Sequence, residues 1–468
     1  MNAQFRIAEA LAEIGATTYV VGGYVRDLIL GKESKDVDLE VYSVEPAIVL
    51  DELRKFPFVD HAEVHGKAFS TILVVTLDGQ HIDVNFPRRE NKVGKGHAGF
   101  SVEIDPYMSI EDATGRRDFT INGIMQDALD QTKYYDRCSG VADLQGGILR
   151  HIGPAFAEDP LRVFRGMQFA ARFDMQLWPD TAHLCQKMFP TLSELSKERV
   201  YQEFWKLCVR GEKPSRGLQF LRESGAIKMF PELVSLIGCP QSEKHHPEGD
   251  VWVHTCMVAD AMVITLKKEN ELSEEDRFVL VMSAICHDFG KPCTTVLQED
   301  GRITSYGHDA EAEPLVRSFM ERIGCPEKYI ARVLKLVTSH MATIAYNKKG
   351  PSSRNIRRLA KRLWDKKDAH RETIYRLVLL CVADSMGTGS NPGYAAEMSV
   401  ASKAHEMEYY HGVPDAIVPY LTGKDLIDAG LKPGPQFAKI LGEAQQLQDD
   451  EEIKSRDMAL QWFRNRIK

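Results

Sequence analysis

The stretch Gly22-Gly23-Tyr24-Val25-Arg26-Asp27, followed nine residues later by Asp36-Val37-Asp38, constrains the fold more than any other part of the chain. Thr18 to Val21 reads as a strand, the glycine pair as a turn whose backbone approaches a ligand closely, and Val25 to Leu30 as the first turns of a helix. Backbone amides at such a helix start favour anions. Alternate side chains of a strand share a face, so Asp36 and Asp38 project together while Val37 points away. Two carboxylates so placed suit two Mg²⁺ ions about 4 Å apart, which clamp the attacking and leaving oxygens of an in-line phosphoryl displacement. A phosphate turn beside that acidic pair points to metal-assisted nucleotidyl transfer.

With 468 residues the chain exceeds what one core sustains, and two to four domains are expected. No apolar run reaches the roughly 20 residues needed to cross a bilayer, and Met1 to Glu13 reads as an amphipathic helix without a signal-peptide core. A cytoplasmic protein with no membrane partner is expected. The nine cysteines, without a CxxC, suit reduced thiols better than a disulfide framework or zinc ribbon. Cys239, Cys256, Cys286 and Cys293 read as core or near-site spectators. The net charge of −8 argues against a chain coated for nucleic acid. Locally, however, ten cations lie between Lys348 and Arg371, and Arg88, Arg89, Lys92 and Lys95 crowd a second segment. Each is either a solvated face or a contact for a polyphosphate backbone.

Residues 1–150 mix short β-branched runs (Thr18 to Val21, Val37 to Tyr42, Ser70 to Thr76, His81 to Asn85) with helical stretches, which predicts a small mixed sheet. From about residue 155 the periodicity is helical with almost no strand signal. Helices are expected at Arg162 to Phe173, Thr181 to Met188, Lys197 to Val209 and Ser215 to Ser224. The expected fold class is therefore α+β: a catalytic head over 1–150, a helical neck over 151–240, a further helical domain over 241–395 and a helical tail over 396–468.

Downstream motifs sharpen the chemistry of the head. His81-Ile82-Asp83-Val84-Asn85 offers a third carboxylate on an alternating strand. Arg116-Arg117-Asp118-Phe119-Thr120-Ile121-Asn122 combines cations for a triphosphate with an Asp and an Asn able to bond ribose hydroxyls. Glu158-Asp159-Pro160-Leu161-Arg162 opens the neck, with Asp159 near a helix start and Arg162 and Arg165 on one face.

Taken together, GGYVRD with DVD, IDV, RRDFTIN, the run from Tyr135 to Arg150, EDPLRVFR and Glu198-Arg199 resemble the bacterial tRNA nucleotidyltransferases, the class that also holds bacterial poly(A) polymerases. The resemblance implies a DNA polymerase β-like head and template-independent transfer of CMP and AMP, from CTP and ATP, to a tRNA acceptor end. It implies Asp36 and Asp38 as Mg²⁺ ligands, and Asp83 as the group that helps activate the primer hydroxyl. Gly22, Gly23 and Arg26 hold the triphosphate by the same analogy, Arg117 another phosphate, and Asp118 or Asn122 the ribose. Cytosine and adenine both set an amino donor beside an unprotonated ring nitrogen. Asp159 and Arg162, with Arg165 nearby, offer the matching acceptor and donor, as the family's corresponding positions do. Where some relatives carry another basic residue three positions beyond Arg165, this chain has Gln168. The segment Pro87 to Phe100 resembles the family's mobile loop, which implies a full CCA or A-adding enzyme.

His254, His287-Asp288 and Asp384 form an H…HD…D order, with Lys291 completing His287-Asp288-Phe289-Gly290-Lys291. This matches the HD phosphohydrolase superfamily. Imidazole and carboxylate ligands suit Mg²⁺, Mn²⁺, Ni²⁺ or Fe, and Lys291 is a candidate for a substrate phosphate. His308 and His340 are candidate further ligands, whereas His245 and His246 read as core or surface histidines. Relatives of one lineage use such a domain as a phosphatase and 2′,3′-cyclic phosphodiesterase, an activity that cleans damaged 3′ ends. The tail motif Leu421 to Leu426, with Gly430 to Pro435, also recurs in those relatives. No DNA partner is expected, and the chain is read as a monomer or homodimer. Two rival readings share these residues: a poly(A) polymerase or A-adding enzyme, and an HD nucleotide phosphohydrolase whose head only binds RNA.

Overall fold

Alternation of buried and outward residues organises the first unit around one sheet. In the computed structural model, which describes residues 2–32, 37–65, 71–92, 100–269, 272–342, 351–363, 370–389, 419–449 and 452–467, the chain divides into two units, Met1–Pro231 and Glu232–Lys468. The sheet of the first unit contains β1 (Thr17–Val21), β2 (Val37–Tyr42), β3 (Val59–His65), β4 (Thr71–Thr76) and β5 (His81–Asn85). Two shorter strands, β8 (Met125–Asp127) and β9 (Tyr134–Tyr135), complete it in the order β3-β4-β5-β2-β1-β8-β9. The β2–β5 pair is parallel and the others are antiparallel, so the expected mixed sheet is present. On β2 and β5 the core face carries Leu39, Val41, Ile82 and Val84, each 1 % exposed or less. Asp38, Glu40, Asp83 and Asn85 therefore stand on the opposite face.

Segment 87–100, expected as an open loop, begins with strand β6 (Arg88–Lys92), which pairs antiparallel with β7 (Phe100–Ile104). Backbone pairing organises this charged stretch, and its side chains carry no apolar alternation from which that could be read. Residues 93–99 lie outside the described set.

Helices α1 (Ala3–Glu13), α2 (Gly23–Ile29), α3 (Pro46–Leu53), α4 (Ile110–Gly115) and α5 (Gly140–Gly146) surround the sheet. Then α6 (Leu161–Phe173), α7 (Pro179–Met188), α8 (Lys197–Arg210) and α9 (Pro214–Glu223) follow within two residues of their expected limits. Helix α8 starts where the Ser196 side chain accepts from the Arg199 amide, a cap that satisfies one orphan donor. Helix α6 packs against α8 and α9. At Gly166 a Cβ would lie 2.3 Å from the Phe220 ring, so glycine permits the close crossing. A two-residue parallel pair, β10 (Ile148–Leu149) with β11 (Gln176–Leu177), departs from the all-helical expectation. So short a pair leaves no periodic trace in sequence.

The second unit is helical: α10 (Pro231–Leu236) leads into α11 (Val251–Leu266), α12 (Glu274–Cys286), α13 (Lys291–Thr294), α14 (His308–Arg322) and α15 (Glu327–Val337). Next come α16 (Ser353–Leu363) and α17 (His370–Gly387), with a small hairpin of β12 (Val296–Leu297) and β13 (Ile303–Thr304) between α13 and α14. Helix α11 is apolar on nearly every side, and it packs against both α12 and α17, as a central helix must. The tail comprises α18 (Gly423–Asp428), α19 (Pro435–Asp449) and α20 (Arg456–Ile467), around Leu421, Leu426, Ile440 and Phe463. Its Leu421–Leu426 motif is in part a helix start: Thr422 and Asp425 form a capping box. Among the described residues no helix is long and apolar enough to cross a membrane.

Candidate functional sites

In the first unit a cavity of about 650 Å³ opens over the site face of β2. Gly22 caps α2 with φ +71°, a left-handed conformation that glycine adopts without strain, and a Cβ there would stand 3.4 Å from Asp38 Oδ2. Val21 on β1 and Asp83 on β5 both lie opposite Asp38 in register. Asp38 and Asp83 therefore sit side by side on neighbouring strands and share one face of the sheet; Asp38 lines the cavity, and Asp83 is not among its lining residues. Asp36, the other half of the expected acidic pair, lies outside the described residues. A half-buried Asp38 and an exposed Asp83 beside the glycine turn fit divalent magnesium, a hard cation that takes oxygen ligands.

A chain of hydrogen bonds connects the phosphate turn with helix α6. Arg26 donates to Asp27 Oδ1 through Nε and Nη2 and to Asn122 Oδ1 through Nη1 at 2.7 Å. Asn122 in turn donates to Asp118 Oδ1 at 2.9 Å, and Arg165 Nε donates to Asp118 Oδ2 at 2.7 Å. Burial alone would raise the Asp118 pKa, but Arg165, Asn122 and the Phe119 amide hold it below the usual carboxylate value. Burial lowers the pKa of Arg26. Arg26, Asp118 and Asn122, expected to grip phosphate and ribose, thus line the cavity while bonded to one another. Arg117 is likewise seated, by Glu40 Oε2 at 2.7 Å and the Asn122 carbonyl at 3.1 Å.

Asp159 and Arg162 both line the cavity, as the base-reading hypothesis requires. Their side chains take other partners: the Arg162 guanidinium donates to the Ala155 and Arg116 carbonyls, at 2.6 and 2.7 Å, while its amide donates to the Asp159 carbonyl at 3.0 Å. Asp159 instead accepts from Arg199 Nη2 at 3.0 Å and from the Leu161 amide at 3.0 Å. Arg199 and Glu40 are the site partners that sequence reasoning missed as functional. Arg199 had a signal, since Glu198-Arg199 is one of the motifs that carry the resemblance, but its partner Asp159 was not readable from it. Glu40 also had one, because it repeats the two-residue spacing of Asp36 and Asp38. Gln168 is 3 % exposed and is not among the lining residues.

In the second unit, five separate segments bring histidines and carboxylates together. His254 comes from α11, His287 and Asp288 from the turn that follows α12, His308 from the first turn of α14, His340 from the turn after α15 and Asp384 from α17. His254 Nε2 lies 3.0 Å from Asp384 Oδ1 and 3.3 Å from His287 Nε2, and His287 Nε2 lies 3.1 Å from Asp288 Oδ2. His308 Nε2 lies 3.4 Å from Asp288 Oδ1 and 3.1 Å from His340 Nε2. Two ligand groups result, His254/His287/Asp288 and Asp288/His308/His340, and Asp288 belongs to both.

Each ring is turned inward from behind. The Nδ1 atoms of His287, His308 and His340 bond the carbonyls of Ala284, Ser305 and Val337 at 2.9, 2.8 and 2.6 Å, and His254 Nδ1 lies 2.8 Å from Glu248 Oε1. With Nδ1 as the donor, every Nε2 presents a lone pair to the centre. Converging nitrogens and carboxylates of this kind could hold a cation, and the donor set suits a first-row divalent metal or Mg²⁺. Burial penalises charge on His254, yet Asp384 and Glu248 raise its pKa to about 9, while burial brings His340 down to about 4. The HDFGK glycine has a steric reason: a Cβ on Gly290 would lie 2.0 Å from the His308 carbonyl oxygen.

Two expectations change here. His246, read as an ordinary histidine, bonds Glu248 Oε1 at 2.9 Å and packs against the His254 ring, forming a third group with Glu248 and His254. Lys291, a candidate for substrate phosphate, is 8 % exposed and engaged by Asp288 Oδ2 at 2.7 Å and Gln241 Oε1 at 2.6 Å. No pattern around Glu248 signals its role, because its carboxylate is brought to His254 only by folding.

The sheet order and the acidic register define a nucleotidyltransferase with a DNA polymerase β-like head, and residues 18–150 match the poly(A) polymerase head domain family. Residues 174–236 match the family described as the probable RNA- and SrmB-binding site of polymerase A. The multifunctional CCA protein of Mannheimia succiniciproducens is 34 % identical over 378 residues, covering 79 % of this chain and 84 % of that protein. That of Xanthomonas oryzae pv. oryzae is 32 % identical over 434 residues, covering 91 % and 96 %. The chain belongs to the multifunctional CCA protein family. Solved structures share the fold: the Bacillus stearothermophilus CCA-adding enzyme in complex with CTP superposes with a TM-score of 0.65 at 22 % identity, covering 100 % of this chain and 99 % of that one. The Thermotoga maritima CCA-adding enzyme complexed with tRNA gives 0.53 at 17 % identity, covering 99 % and 95 %.

Proposed function

We propose that this chain adds CCA to the 3′ end of tRNA from CTP and ATP, and that its second unit is a metal-dependent phosphohydrolase acting on 3′ ends. The observation that carries the first reading is the register of Asp83 with Asp38, which lines one cavity together with the left-handed Gly22, Asp159 and Arg162. Asp38 and Asp83, with Asp36, would hold Mg²⁺, which when bound supplies Lewis-acid stabilisation to the transferring phosphoryl group. Asp83, exposed on its strand, would help activate the acceptor hydroxyl, as the family resemblance implies. Gly22 and Gly23 let the triphosphate approach the amides of α2, and Arg117 adds positive charge there. The Arg26–Asn122–Asp118–Arg165 chain positions the turn relative to α6 and supports the ribose side of the pocket.

Base choice follows from hydrogen-bond polarity. Asp159 accepts from the amino group of cytosine or adenine and Arg162 donates to the adjacent ring nitrogen. Uracil and guanine present a carbonyl and a ring N–H in those places, leaving charged groups unpaired at about 1–3 kcal/mol each.

In the second unit, the sharing of Asp288 between two ligand groups supports a two-metal centre, with His254, His287 and Asp384 on one side and His308 and His340 on the other. Mg²⁺, Mn²⁺ or Ni²⁺ fits that donor set and would polarise a phosphoryl oxygen and a water. Lys291 keeps Asp288 ionised and in place.

Incubation with tRNA lacking CCA and each NTP alone tests the first reading. Incorporation of two C residues from CTP is expected. Addition of A alone would instead identify an A-adding enzyme or poly(A) polymerase.

A further inference from the structure

Helix α16, SRNIRRLAKRL, carries five cations and no carboxylate in a chain of net charge −8. Ile356, Leu359, Ala360 and Leu363 are buried, and they cover one side of the helix. At about 100° per residue, Arg357, Arg358, Lys361 and Arg362 form a stripe on the opposite side. Arg358, Lys361 and Arg362 are exposed. The helix dipole accounts for cations in its last turn, but not for a row of them that begins a turn earlier.

The stripe is tied to the histidine centre. Arg362 Nη2 donates to the Thr338 carbonyl, and two residues further on His340 bonds the Val337 carbonyl and faces His308. The buried side of α16 packs on α15, which ends at that same turn, and on α17, which supplies Asp384. A polyanion lying along the stripe is thereby brought alongside the His308/His340 half of the centre.

We propose that the outer face of α16 docks the phosphate backbone of an RNA whose 3′ end enters the histidine centre. The inference rests on the phosphohydrolase reading of that centre. A linear row of cations matches a linear row of phosphates, whereas a mononucleotide offers too few charges to use it.

The test uses the full chain and the double variant Arg358→Gln/Lys361→Gln. Hydrolysis is followed on a tRNA lacking CCA and ending in a 2′,3′-cyclic phosphate, and on 2′,3′-cyclic AMP. The expected result is a KM for the RNA raised about tenfold near physiological salt, and a slope of log(kcat/KM) against log[salt] shallower by about 1.5. Hydrolysis of cyclic AMP stays unchanged. An unchanged KM and salt slope for RNA overturns the proposal and leaves the face to an acidic protein partner or to water. Equal losses on both substrates also overturn it, because they report damage to the centre. If the unsubstituted chain hydrolyses neither substrate, the phosphohydrolase reading fails by itself. The salt slope of tRNA binding, compared between the two proteins, then decides the docking surface independently.

Discussion

Asp38 and Asp83 stand directly opposite each other on the parallel strands β2 and β5, although 45 positions separate them along the chain. Parallel pairing in register aims both carboxylates to one face, where a bound cation would relieve their mutual repulsion.

Asp38→Asn or Asp83→Asn is therefore expected to reduce CMP and AMP addition alike, by on the order of 10³-fold, the loss of several kcal/mol of charge stabilisation. Thermal stability should hold or rise slightly, since a like-charge pair disappears. Single-turnover incorporation on tRNA lacking CCA, with tRNA binding measured separately, checks both halves.

Asp159→Ala should keep tRNA binding and lose discrimination against UTP and GTP. Arg199→Ala should move in the same direction by a smaller step, because Asp159 loses its 3.0 Å partner and is less firmly oriented. The ratio of kcat/KM for CTP to that for UTP is the measurement. An unchanged ratio in Asp159→Ala contradicts the base-reading role.

The Asp118–Arg165 pair predicts a pH effect on stability. Asp118 is depressed below its ordinary value in the folded chain, so its contribution is complete above about pH 4 and is lost as pH falls through the folded value. Asp118→Asn should flatten the acid limb of the urea midpoint against pH below about 4. Arg165→Ala should cost about 2–3 kcal/mol near pH 7, under the range for fully buried pairs because 36 % of the Arg165 side chain reaches solvent.

Metal stoichiometry tests the shared Asp288. The full chain, loaded with Mn²⁺ or Ni²⁺ and desalted, should retain two ions in the second unit, and His340→Ala one. His287→Ala should abolish phosphate release and leave CMP addition intact. Glu248→Gln should weaken metal affinity about 10- to 100-fold through the orientation of His254, with the fold preserved by circular dichroism.

Local motifs were legible because their chemistry needs contiguous residues. A strand, a glycine turn and a helix start are specified by Thr18 to Leu30 alone, and helices α6 to α9 by their apolar period and caps. The H…HD…D order announced a histidine and carboxylate centre in the same way. Strands β6 and β10 to β13 were not legible, since short or charged strands are held by backbone pairing without a side-chain pattern.

What the sequence by itself determined is the inventory of chemistry: an acidic strand beside a phosphate turn, a base-reading motif at a helix start, and an ordered set of histidines and aspartates. Only the tertiary structure decided how each group is employed. Folding set Asp83 beside Asp38, gave Asp159 to Arg199, engaged Arg26 and Lys291 with buried neighbours, and placed Glu248 behind His254. The reason is physical: a charged group takes the partner that lies within about 3 Å once the chain is closed, and that distance is set by strand register and helix crossing rather than by separation along the sequence.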